Sequence, residues 1–237
     1  VSTLILFDID GTLVLTGGAG GRAMVRAFHD VFGRSNGLGS IPMAGRTDAW
    51  IVAQMAAMHG LTCDADALGR FHDIYVRYLS DEIVAPGPKK GVLPGVRRLL
   101  DTLASRDDAY LALLTGNFRR GAEIKLEHFD LWRYFQAGAF GDAAHDRNGL
   151  LWTALAAVRD AGGPSFRPSE VVVIGDTPLD VAVAVAGGAR SLGVATGGHD
   201  VDTLLESGAD VALPDLDDLD AVLEGLGLRE RESPARA

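Results

Sequence analysis

The chain has 237 residues, 22 Lys and Arg against 32 Asp and Glu, a formal net charge of −10 and a single cysteine, Cys63. An ordinary apolar share of 47% excludes a collagen-like or wholly disordered chain, and a lone cysteine excludes an intrachain disulfide. The acidic balance argues against nucleic acid and anionic membranes as partners.

No apolar stretch approaches the ~18 residues of a membrane span. The N-terminus lacks the basic start of a signal peptide, so the expected setting is a reducing cytoplasm, and the opening Val1 suggests a processed or trimmed start. Residues 4–7 form the first apolar run, short enough and apolar enough for a strand covered on both faces. Three helical patterns follow at 20–32, 47–59 and 64–84, with no strand signal among them. In the last, Leu68, Phe71, Ile74, Tyr75, Tyr78 and Leu79 repeat at i, i+3, i+4 and define one apolar face. The Pro- and Gly-rich stretch 85–95 reads as a return linker.

Strands and helices then alternate. Strands are expected at 110–114, 136–140 (weaker), 171–174, 191–195 and 211–213, and helices at 94–105, 119–129, 150–161, 179–186, 201–207 and 217–226. The expected fold is α/β: a doubly wound, Rossmann-like parallel sheet core over 1–15 and 90–228, an inserted helical cap domain at 16–89, and a disordered tail at 229–237.

In open sheets of this kind ligands bind beyond the carboxyl ends of the strands. The candidates are therefore Asp8, Ile9, Asp10, Gly11 and Thr12 after the first strand, and Thr115, Gly116 and Asn117 after the second. Asp146 and Arg147 follow the third, and Asp176, Thr177 and Asp180 the fourth. Asp8 and Asp10, two apart on extended chain, point to the same side, and paired carboxylates stay ionised only beside a cation such as Mg²⁺. One Asp at a strand end is explained by a turn or a helix cap; three at neighbouring strand ends are not. Thr115-Gly116-Asn117 is either an anion site before a helix or an ordinary turn. Arg46 either reaches a substrate anion or stands beside a helix start capped by Thr47 or Asp48. The glycine run 17–21 has no Walker Lys after it and reads as a hinge. The six His show no metal spacing, the acidic run 215–220 caps the last helix, and Trp50, Trp132 and Trp152 fall in helical patterns that assign them to the core.

The set DIDGTL (8–13), LLTGN (113–117) and GDTPLD (175–180) resembles the first, second and fourth motifs of the haloacid dehalogenase-like hydrolase superfamily, with a C1-type helical cap and a pattern nearest its phosphoglycolate phosphatase-like and β-phosphoglucomutase-like members. That resemblance implies a Mg²⁺-dependent phosphatase acting on a small phosphorylated metabolite, with Asp8 as the nucleophile that forms an aspartyl-phosphate. It implies Asp10 as the acid and base, and Mg²⁺ held by Asp8, the Asp10 carbonyl and Asp176, with Asp180 behind them. Thr115 and the backbone of Ile9, Asp10 and Gly116 surround the phosphoryl group, with Gly11, Thr12, Asn117 and Arg46 as further substrate contacts. An Asp two residues after the nucleophile, absent from the family's dehalogenases, points to an alkoxide leaving group. The lack of Lys in the expected cap helices argues against phosphonate cleavage. The family's third motif is a Lys; Arg147 is assigned that place here, with Lys125 as the second candidate, whose ordinary reading is a solvated helix residue. A phosphomutase of the same family and a phosphorylated-ligand-binding protein without catalysis remain alternatives, and oligomeric state stays open.

Overall fold

Runs of consecutive apolar residues need cover on both sides, which a parallel sheet between two helical layers supplies. The computed structural model describes residues 2–35, 38–142 and 147–228; the expected tail 229–237 and Asp146 lie outside the described residues. The chain begins β1 (Thr3–Phe7), β2 (Val14–Leu15), α1 (Ala19–Phe32), α2 (Asp48–Met58), α3 (Ala65–Glu82) and β3 (Gly91–Val92). It continues α4 (Val96–Ala104), β4 (Ala109–Leu114), α5 (Arg119–His128), β5 (Gly138–Ala139), α6 (Leu150–Asp160) and β6 (Val171–Gly175). It ends α7 (Pro178–Gly187), β7 (Arg190–Val194), α8 (Val201–Glu206), β8 (Val211–Leu213) and α9 (Leu219–Leu226).

Six strands form one sheet in the order β5-β4-β1-β6-β7-β8, every neighbouring pair parallel. The order runs one way from β1 through β4 and the other way through β6, which makes the carboxyl end of β1 the switch point where ligands bind in such sheets. Phe7 pairs with Leu113 on one side and Ile174 on the other, so the turns after these three strands leave one edge together.

Alternate residues serve opposite faces. Ile5, Phe7, Leu113 and Ile174 pack under α4, α5 and α9, while Leu4, Leu6, Leu114 and Val173 pack under α6 and α7. A third cluster joins α1, α2 and α3 through residues such as Phe28, Val52, Met55, Phe71 and Leu79, and it takes in Phe118 and Ile124 beside and within α5. The helical segment is thus packed both on itself and on the helix that follows β4. Among the described residues no helix is long and apolar enough to cross a membrane.

Three differences from the sequence reading have physical causes. β2 and β3 pair antiparallel into a two-residue ribbon where the chain leaves for and returns from the helical segment, too short to leave a period in the sequence. The glycine run is not a hinge throughout: Gly18 takes the left-handed N-cap position at φ 81°, and Ala19, Gly20 and Gly21 are the first turn of α1. Trp152 is 55% exposed, because α6 turns Leu150, Leu151, Ala154 and Val158 to the sheet and Trp152 falls outside that stripe; Trp50 and Trp132 are half-buried against the core.

This helical phase gives adjacent residues opposite weights. Leu151→Ala is expected to cost about 3 kcal/mol in chemical denaturation, the usual penalty for emptying a packed site. Trp152→Ala next to it should change stability by no more than about 0.5 kcal/mol. Comparable losses in the two variants would contradict the packing described.

Candidate active site

The turn after β1 is built on the carbonyl of the buried Ile9, which accepts the N–H groups of Leu13 and Val14 at 2.9 and 3.1 Å. Gly11 sits at φ 86°, and a Cβ there would stand 2.4 Å from Asp176 Oδ2, so only glycine lets this turn pass over the carboxylate that arrives from β6. Thr12, also buried, donates its hydroxyl to Asp176 Oδ1 at 3.2 Å. Asp180 lies in the first turn of α7, where its Oδ2 accepts the Thr177 N–H and hydroxyl at 3.1 and 2.7 Å; Thr177 in turn caps the helix.

Asp8, Asp176 and Asp180 converge. One oxygen of each lies within 4.8 Å of the others, and all three residues are buried. Arg147, from a 3-10 turn at Arg147–Gly149, inserts among them: its Nη2 lies 3.1 Å from Asp8 Oδ1 and donates to Asp180 Oδ1. One guanidinium against three carboxylates leaves the group net negative in a place shielded from water. Burial first, and then the Asp180 and Asp10 charges against the opposing pull of Arg147, pushes Asp8 from 3.8 to about 7. Burial and the Asp180 and Asp8 charges push Asp176 to about 8. Oxygen ligands carrying uncompensated negative charge are the donor set of a hard divalent cation.

β1 stops at Phe7, and the Asp10 carboxylate lies outside the three-acid group, but its charge still acts on Asp8 and both residues line the same cavity. Lys125 Nζ donates to Asp10 Oδ2 and to Asn117 Oδ1, each at 2.6 Å, and Asn117 Nδ2 donates to the same Asp10 oxygen at 2.9 Å. Lys125 is only 5% exposed, so its reading as a solvated helix residue is corrected: an ion pair with a residue 115 positions away draws it inward. Both candidate cations therefore reach the site, Arg147 at Asp8 and Lys125 at Asp10. Thr115 is fully buried, and its Oγ1 accepts both the backbone N–H and the Nδ2–H of Asn117 at 3.3 and 2.8 Å.

Asp8, Asp10, Asn117, Lys125, Arg147 and Asp176 line one cavity of about 390 Å³, which also receives Arg46, Asp48 and Tyr75 from the helical segment. Arg46 is exposed, its guanidinium 4.5 Å above the Trp50 ring. Asp48 was considered only as a cap, yet Thr47 does the capping and Asp48 bridges two parts of the fold. Its N–H donates to Gly116 O at 2.7 Å and its Oδ2 accepts from Phe118 N–H at 2.8 Å. Burial, opposed by Lys125, raises Asp48 to about 6. The approach is tight: a Cβ on Gly116 would lie 2.1 Å from Arg46 O. Tyr75, whose sequence signal is an apolar stripe, is among the residues that line the cavity.

A family model described as haloacid dehalogenase-like hydrolase matches residues 5–184. The chain is 28% identical over 222 residues to the protein named Glycerol-1-phosphate phosphohydrolase 2 of Saccharomyces cerevisiae, covering 87% of this chain and 79% of that protein. It is 24% identical to the Phosphoglycolate phosphatase of Pseudomonas fluorescens over 227 residues, 90% of this chain and 76% of that one. The crystal structure of a predicted phosphoglycolate phosphatase from Haemophilus somnus superposes with a TM-score of 0.67 at 18% identity, over 92% of this chain and 96% of that chain.

The raised carboxyls set a pH dependence in the metal-free protein. Unfolded, Asp8 and Asp176 titrate near 3.8; folded, they hold their protons to about 7 and 8. The folded chain thus binds more protons than the unfolded chain between these limits, and its stability falls as the pH rises through them. Melting temperatures in EDTA are expected to decline from pH 5 to pH 8 and level off above, with a shallower decline in Asp176→Asn. Added Mg²⁺ should raise the melting temperature most at pH 8, where it displaces the fewest protons. A flat profile in EDTA would contradict the charge arrangement.

Proposed function

The chain belongs to the haloacid dehalogenase-like hydrolase family, and we propose that it is a Mg²⁺-dependent phosphatase that hydrolyses a small phosphate monoester through an aspartyl-phosphate on Asp8. The observation that carries this reading is the buried Asp8 carboxylate at the end of β1, beside Arg147 and grouped with Asp176 and Asp180. The phosphatase names of two relatives support the same reading.

The three acids fit Mg²⁺: all their donors are carboxylate oxygens, and a divalent charge balances what Arg147 leaves uncompensated. When bound there, Mg²⁺ would let the carboxylates ionise together and withdraw charge from the phosphoryl oxygens. The chain's own residues do the rest. An Asp8 oxygen attacks phosphorus while the ester oxygen departs, taking a proton from Asp10. Lys125 and Asn117 both bind Asp10 Oδ2, which leaves Oδ1 as the oxygen to carry that proton. Asp10 then takes a proton from water, the water oxygen attacks the same phosphorus, and the bond to Asp8 breaks to release phosphate, which restores the Asp8 carboxylate and leaves Asp10 protonated for the next leaving group.

Two groups suit the phosphoryl oxygens. The Thr115 hydroxyl accepts from Asn117 and donates to the Asp8 carboxylate, so it stands beside the attacking oxygen and would pass to a phosphoryl oxygen when substrate binds. Arg147 Nε is buried and has no hydrogen-bond partner among the described residues, so a phosphoryl oxygen would satisfy it. The helical segment 16–89 acts in this reading as a cap over the core at 1–15 and 90–228, closing the site against bulk water. An intact Asp8, Asp10 and Asp176 supports catalysis over binding alone, since binding needs no nucleophile. The single cysteine supports a reducing cytoplasm as the setting.

The test is hydrolysis of p-nitrophenyl phosphate with Mg²⁺, with EDTA, and in Asp8→Asn. Turnover is expected with Mg²⁺, its loss in EDTA, and a fall of at least about 10³-fold in the variant. Equal rates in all three would remove Asp8 and the metal from the chemistry.

A further inference from the structure

Tyr75 sits in the middle of α3 with no exposed surface, and its hydroxyl has no hydrogen-bond partner among the described residues. A buried phenol without a partner is costly, and this one belongs to a residue that lines the catalytic cavity. Its ring cannot swing away. It stacks on Phe71 (centroids 6.0 Å apart, 11° between planes) and meets the edge of Phe118 at 5.9 Å. On the other side lies Gly20, in the first turn of α1 and part of the glycine run that no catalytic role accounts for. A methyl at Gly20 would stand 3.8 Å from the Tyr75 hydroxyl and 3.5 Å from Lys125 Nζ, so the missing side chain leaves a corner faced by two donors.

We infer that this corner, between Tyr75 and Gly20, binds a neutral hydroxyl on the leaving alcohol of the substrate, which makes the favoured substrate a phosphate ester of a small polyol. The inference rests on the phosphatase reading above and narrows it. Three properties of the corner select the ligand. The phenol stays protonated, because burial and the Asp48 and Asp10 charges hold it well above its usual titration range, so it can donate. Those same carboxylates repel a second anion, which disfavours a carboxylate on the leaving group. An alkyl chain would leave the phenol unsatisfied. A neutral hydroxyl accepts from Tyr75 and gives the phenol the partner it lacks.

The experiment compares kcat/KM for glycerol 1-phosphate and n-propyl phosphate, which share a carbon chain and differ in hydroxyls, with phosphoglycolate as the anionic comparison. The wild type is expected to favour glycerol 1-phosphate over both by at least about tenfold, and Tyr75→Phe to reduce its preference over propyl phosphate about tenfold. Removing an unpartnered hydroxyl should leave the melting temperature of Tyr75→Phe unchanged or higher, whereas a purely structural tyrosine would lose stability and slow all three esters alike. Gly20→Ala is the second variant. Alanine is the better helix former, its methyl meets only ordinary contacts, and it fills the corner, so the same preference should fall in a protein at least as stable. A wild type that turns over the two three-carbon esters equally, a preference for phosphoglycolate, or a preference untouched in both variants overturns the inference and leaves the phosphatase reading standing. A wild type inert towards all three esters and p-nitrophenyl phosphate overturns both.

Discussion

Three carboxylates buried around one guanidinium govern this molecule. Asp8 follows β1, Asp176 follows β6 and Asp180 lies in the first turn of α7, so the two central strands and a helix start must stay in register for the charges to remain compensated. Each acid is tied down by a second interaction: Arg147 on Asp8, Thr12 on Asp176, and Thr177 together with Arg147 on Asp180. The backbone presses close as well, since a Cβ on Gly175 would lie 2.2 Å from the Asp180 carboxyl carbon. Networks of this kind are costly when half satisfied, which explains why the local structure is so closely determined.

The second cation keeps a separate account. Lys125 holds Asp10 and Asn117, and Asn117 holds Thr115, so the loop after β4 and the turn after β1 form one hydrogen-bonded unit. With Arg147 on one acid and Lys125 on the other, Asp8 and Asp10 sit in different electrostatic surroundings although they are two residues apart. That separation suits a division of labour in which one carboxylate attacks and the other moves protons.

The helical segment reaches this unit through few but specific contacts. Asp48 joins the start of α2 to the backbone of Gly116 and Phe118, while Phe118 and Ile124 bury themselves in the helical cluster. The cavity is therefore roofed by residues that also hold the phosphate-side loop, and a shift of α2 would be felt at Thr115 and Asn117. Tyr75 and Gly20 extend the same logic to the leaving group: the roof is shaped by one fixed phenol and one absent side chain.

The sequence by itself determined the strands and helices of the sheet domain and the residues at the strand ends. Those features follow from contiguous residues: apolar runs, helical periods, and turn residues such as Gly11 and Thr177. Trp152, which the helical pattern assigned to the core, is exposed because the structure turns Leu150, Leu151, Ala154 and Val158 of α6 to the sheet. The tertiary structure alone decided which charges meet. Lys125 turns inward because Asp10 waits for it, and Asp48 and Tyr75 become cavity residues because α2 and α3 lie over the loop after β4. Compensation of buried charge depends on distance in space between groups far apart in the chain, and no local pattern encodes it.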